Sequence, residues 1–166
     1  MIAAKLKLFR YLGMAALLAC PASCLTASEQ TVVAVIVAKD GPSQPLDKNA
    51  LSRIYLRKTL LWANREPVQP VNLSATHPLR RLFSERVSGL EPEELDGYWN
   101  DQYFQGVFPP YSVASEEAMV RYVAASTTAI GYVSACAVDG RVKVLIYLTP
   151  AGFAQGGIPS HYCSQH

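Results

Sequence analysis

The run TVVAVIVA at Thr31–Ala38 is apolar at every position but the first and is rich in β-branched residues. It is too short to stand as an isolated helix, and β-branching favours a pleated strand. A half-exposed strand alternates apolar with polar, whereas an unbroken apolar run fits a strand covered on both faces. The segment therefore predicts the central strand of a sheet with packed layers on its two sides. The rest of the chain must supply those layers.

The residues before it belong to a different kind of segment. Lys5, Lys7 and Arg10 precede the apolar run YLGMAALLA, which small residues follow. That is the layout of a secretory signal, and the run falls well short of the roughly 20 residues a permanent span needs. Residues 1–27 are read as a signal peptide, with Leu25-Thr26-Ala27 as a cleavage site. Leu17-Leu18-Ala19-Cys20 offers an alternative of the lipobox kind, in which Cys20 would carry a lipid; only then would the protein be held at a membrane. The expectation is a periplasmic protein with a folded lobe over residues 28–148 and an irregular tail over residues 149–166.

The signal accounts for the basic balance of the chain. Without its three cations and with no acid lost, the formal charge falls from +2 to −1. No dense Lys/Arg stripe then remains to neutralise a phosphate backbone, which argues against a nucleic-acid partner. The cysteines left after the signal are Cys136 and Cys163. In an oxidising compartment they predict one disulfide, closing a loop whose entropy is worth about 3 kcal/mol on the chain model.

Local signals order the remaining elements. Leu46 and Asp47 open a helix whose buried stripe is Leu51, Ile54 and Tyr55. Residues 67–73, PVQPVNL, suit a short second strand with Pro at its margin. Pro78 fits the first position of a helix with the apolar face Leu79, Leu82, Phe83 and Val87, and Gly89 fits its C-terminal cap. A third helix starts near Pro92 and presents Leu95, Tyr98, Trp99 and Gln102, before QGVFPPYSV breaks the pattern. Ser115 caps EEAMVRYVAAS, and AIGYVSA and RVKVLIYL are strands joined through Asp139-Gly140. This β-α-β-α-α-α-β-β order predicts an α/β fold, a small mixed sheet flanked by helices.

Three segments in that order, LDKNALSRIYLRKTLLWANREPVQPVNL, ASEEAMVRYVAASTTAIGYV and GRVKVLIYL, resemble the PstS-like phosphate-binding proteins of bacterial ABC importers. These are type II periplasmic binding proteins, and the similarity is to a short, single-lobe branch, over about residues 31–148. The resemblance implies one lobe of that fold. It also implies a phosphate-like small anion as ligand, and an ABC permease or another envelope protein as partner. In the full-length proteins a Ser-Gly-Thr-type turn after the second strand holds the anion. Here the corresponding turn reads Thr76-His77-Pro78-Leu79, with Pro where Gly would allow close backbone approach and Leu at the second hydroxyl position.

Two readings of the turn stand side by side. In one, Ser74, Thr76, His77 and Arg80 hold a small anion weakly at free N–H groups of the helix start. In the other, Thr76 or His77 merely caps the helix while Arg80 and Arg81 lie on a solvated face. The corresponding functions are a solute-binding protein and an accessory protein that kept the fold but lost the ligand. The sequence HYCSQH gathers His161, Cys163 and His166, but a disulfide at Cys163 leaves incidental histidines rather than a metal site. No nucleophile elbow, HExxH or P-loop occurs, and both Glu pairs fall at helix starts, so neither an enzyme nor a cofactor is expected.

Overall fold

The computed structural model describes residues 31–157 and 162–164. The signal segment with Cys20, and His161 and His166 of the tail, lie outside the described residues. The elements are β1 (Val33–Ala38), α1 (Lys48–Tyr55), β2 (Gln69–Leu73), α2 (Pro78–Ser88), α3 (Leu95–Tyr103), β3 (Tyr111–Val113), α4 (Glu116–Ala124), β4 (Ala129–Ser134), β5 (Val142–Thr149) and β6 (Gly152–Ala154). They form a six-stranded mixed sheet in the order β3-β2-β4-β1-β5-β6.

Every residue of β1 is buried, as its unbroken apolar run requires. It runs antiparallel to β4 on one side and to β5 on the other. Beyond β4 the pairing becomes parallel, first to β2 and then from β2 to β3. Of the described helices none is long and apolar enough to cross a membrane.

Helix α1 starts where Asp47 accepts from the Ala50 N–H at 2.7 Å, and it buries Leu51, Ile54 and Tyr55. Helix α4 starts where Ser115 accepts from the Ala118 N–H at 3.2 Å, and it buries Met119, Val120 and Val123. Gly89 ends α2 with a left-handed φ of 75°, which glycine adopts without a side-chain clash. Helix α3 is the most loosely held: of its residues Leu95 alone is buried, while Tyr98 is half-buried and donates to the Leu56 carbonyl at 2.6 Å.

Two strands exceed the sequence expectation. β3 lies inside the stretch read as irregular, because Pro109-Pro110 and only three extended residues give no local period; pairing to β2 supplies its extended form. β6 lies inside the tail expected to be irregular, and it is Thr149–Gly152 that turns the chain back against β5. The Thr149 hydroxyl donates to the Gly152 carbonyl at 2.9 Å within that turn. The tail is further held by the Cys136–Cys163 disulfide, with Cα atoms 5.3 Å apart, and by the Val32 N–H donating to the Tyr162 hydroxyl at 2.8 Å.

Helix α4 packs tightly against β4 at Gly131. A Cβ there would come within 2.4 Å of Met119 Sδ and 2.8 Å of Val123 Cγ2. Glycine at this position lets α4 lie flat on the strands. Gly131→Ala is expected to lower the unfolding free energy by about 1–3 kcal/mol, the usual scale of overpacking, measured by urea denaturation. Thiol counting on the denatured, non-reduced protein should find neither Cys136 nor Cys163 free.

Candidate functional site at the start of helix α2

Ser74 follows β2, and its N–H donates to the Val113 carbonyl of β3 at 3.0 Å. The chain then turns, with the His77 N–H donating to the Ser74 carbonyl at 2.9 Å. The hydroxyls of Ser74 and Thr76 lie 3.1 Å apart and bond to each other. Thus Ser74, Thr76 and His77 share one turn, as the sequence predicts, and their side chains lie at or near its surface.

His77 is the N-cap, and its Nδ1 accepts from the Leu79 N–H at 3.2 Å. The Arg80 and Arg81 N–H groups both point back to the His77 carbonyl, at 2.9 and 3.3 Å, and Pro78 has no N–H. The expectation of free N–H groups at this helix start is therefore corrected at Leu79, Arg80 and Arg81. A His in the N-cap position intercepts what a ligand would have used.

Arg80 departs from the capping reading, which set it on a solvated face. It is 9 % exposed rather than solvated, and it lies on the core side of α2. Its position follows from helical spacing: Leu79, Arg80, Phe83, Ser84 and Val87 are the buried residues of α2, and Arg80 and Ser84 share its inner face with Phe83. The signal was legible as an i, i+3, i+4 set that includes an arginine, but the charge directs the eye to the surface. Arg81, by contrast, is exposed and paired with Glu91 and Glu93.

Around Arg80 lie Tyr55, Asn72, Ser84 and Trp99, lining a cleft with about 20 Å³ of free space, enough for a single water. Phe83 stacks on Tyr132 with centroids 3.7 Å apart and planes 2° from parallel, and Tyr55 meets Phe83 edge-on at 4.6 Å. Burial pushes the Tyr132 hydroxyl up to about 12, against the pull of the Arg80 charge and a bond from the Leu73 N–H. Burial likewise raises Tyr55 well above its ordinary range, and Tyr132 adds to this while Arg80 opposes it. Both phenols stay neutral at physiological pH. Tyr55 donates to the Val71 and Ile130 carbonyls, and Tyr132 to Asn72 Oδ1.

No carboxylate among the described residues forms an ion pair with Arg80, and its buried Nε has no hydrogen-bond partner. A buried cation without a counter-ion is costly. The start of α2 also carries no acidic residue, whereas α4 opens with Glu116 and Glu117. Glu116 accepts from the Ser134 N–H, and Glu117 and Asp139 both clasp Arg141. Among the described residues no cluster of His, Cys, Asp or Glu could hold a metal.

The architecture is that of one lobe of a type II periplasmic binding protein, a mixed sheet flanked by helices. The structure is similar to an ABC-type phosphate transport receptor from Vibrio cholerae, with a TM-score of 0.58 and 24 % identity over 69 % of this chain and 45 % of that one. It is similar to a protein from Clostridium perfringens described as a phosphate ABC transporter substrate-binding protein, with phosphate bound (TM-score 0.59, 23 % identity, 71 % of this chain and 45 % of that one). A third likeness is to PstS from Borrelia burgdorferi (TM-score 0.54, 10 % identity, 69 % and 46 % of the two chains). The chain spans less than half the length of each of these. No protein-family profile and no curated protein matches the sequence.

The Arg141 cluster generates a pH expectation. Its hydrogen bonds hold Glu117 and Asp139 below the ordinary carboxylate range. A depressed folded pKa stabilises above the unfolded value and ceases to do so as pH falls through the folded one. The contribution should therefore be complete at neutral pH and be lost below about pH 4. Urea midpoints measured at pH 7 and pH 3 should fall further in the wild type than in Arg141→Ala, and the difference should shrink in high salt.

Proposed function

We propose that this chain is an exported binding module, one lobe of the phosphate-receptor fold, that holds a small phosphate-like anion weakly beside the start of α2. The observation that carries the reading is Arg80, 9 % exposed, with no acidic partner among the described residues and with its buried Nε unbonded. An oxyanion reaching it would neutralise a charge that the surrounding phenols, both neutral, cannot. The Ser74 and Thr76 hydroxyls, now bonded to each other, would turn toward the same ligand. Because the cleft holds only about one water, the anion must displace side chains, and affinity is accordingly low. The likeness to transport receptors also supports an ABC permease as partner and a periplasmic location.

A second reading, an accessory protein of an envelope complex that kept the fold without a ligand, is favoured by the capped helix start. The Leu79, Arg80 and Arg81 N–H groups are all bonded within the chain.

Calorimetric titration and thermal shift with inorganic phosphate and with sulfate distinguish the two. The binding reading expects saturable heat and a raised Tm with either anion, weakened by salt because the turn is exposed. At a phosphate concentration tenfold above Kd the gain should be about 1.4 kcal/mol. Arg80→Met should abolish the gain while leaving the unliganded protein as stable or more so, since a hydrophobic isostere removes an uncompensated buried charge. Ser74→Ala and Thr76→Ala should weaken binding less. No heat and no shift at millimolar anion would favour the accessory reading.

A further inference from the structure

β3 ends the sheet opposite β6, so a rank of its backbone N–H and C=O groups faces away from β2 without a strand partner among the described residues. Two grooves flank it. One of about 340 Å³ is lined by Arg57, Leu60, Pro70 and Phe108, Arg57 also donating to the Val68 carbonyl at 3.2 Å; the other, about 590 Å³, is lined by Val113, Ala118 and Arg121. Both share Tyr111 and Tyr122, whose rings stack with centroids 5.5 Å apart. Tyr111 is 63 % exposed and Phe108 60 %, and Phe108 continues into Tyr103 at 5.4 Å. A contiguous exposed aromatic surface of this kind marks an interaction site.

The charge of the grooves selects the occupant. Arg57 and Arg121 line them, and no carboxylate does. Glu117, one turn before Arg121, is engaged by Arg141. A second copy of the chain would bring like charges together across a two-fold axis. We propose that the β3 edge is a docking site for an extended acidic segment of another protein. Such a segment pairs briefly with β3, sets apolar side chains into the two grooves on either side of Tyr111, and places carboxylates at Arg57 and Arg121. This inference is independent of anion binding at α2.

The test is a random peptide display library panned on the whole protein, followed by anisotropy titration of the recovered peptides and amide shift mapping. Recovered peptides should alternate apolar positions, carry Asp or Glu at their flanks and lack a central Pro. Their affinity should fall about tenfold or more in Tyr111→Ser and in Arg121→Glu, two exposed positions at which folding should persist by circular dichroism. Amide shifts should centre on Tyr111–Val113 and leave Thr76 and His77 unmoved. Basic or uncharged consensus peptides, equal binding to both variants, no enrichment at all, or self-association through the Tyr111 face in sedimentation would each overturn the proposal.

Discussion

The burial of β1 on both faces governs the rest of the structure. A strand with no polar position must have neighbours on both edges and layers above and below, and β4, β5 and the helices supply them. β4 in turn must admit α4 closely, which Gly131 allows, and must place Tyr132 where Phe83 of α2 can stack on it. That stack fixes the rotation of α2 about its own axis. With Phe83 inward, the residue three positions earlier is also inward, and that residue is Arg80.

The candidate site is therefore a consequence of core packing as much as of the turn that precedes it. The turn sets Ser74, Thr76 and His77 at or near the surface, and the helix carries Arg80 to its buried face, into a cleft with Tyr55, Phe83 and Trp99. His77 closes the helix start by its side chain and its carbonyl, so the backbone N–H groups of Leu79, Arg80 and Arg81 are already bonded within the chain. The lobe differs in this from a helix end whose N–H groups stand open. The part of the lobe that matches the receptors covers less than half of each of them. An exposed aromatic edge with cationic grooves is one place where this lobe can meet another protein.

Much of the fold was legible because its signals are local. The unbroken run of β1, Asp47 and Ser115 as caps, Pro78 and Gly89 at the two ends of α2, and the paired cysteines each act within a few residues or through chemistry that needs little context. β3 and β6 were not legible because each has only three residues and takes its form from a neighbour. The shared turn of Ser74, Thr76 and His77 was legible, whereas the reading that put Arg80 on a solvated face weighted charge above its place in the buried stripe. The capping role of His77 stood among the alternatives, and nothing in sequence alone could decide it against a ligand role.

The central claim is that Arg80 carries a buried charge whose missing counter-ion is a small oxyanion. Nitrogen-detected or Nε-selective NMR of the arginine side chains during a phosphate titration reads that group directly. The Arg80 Nε–H resonance, assigned by its loss in Arg80→Lys, should move saturably with phosphate and approach the same limit with sulfate. An Arg80 signal that stays fixed while phosphate binds elsewhere, or that stays fixed throughout because nothing binds, would contradict the claim.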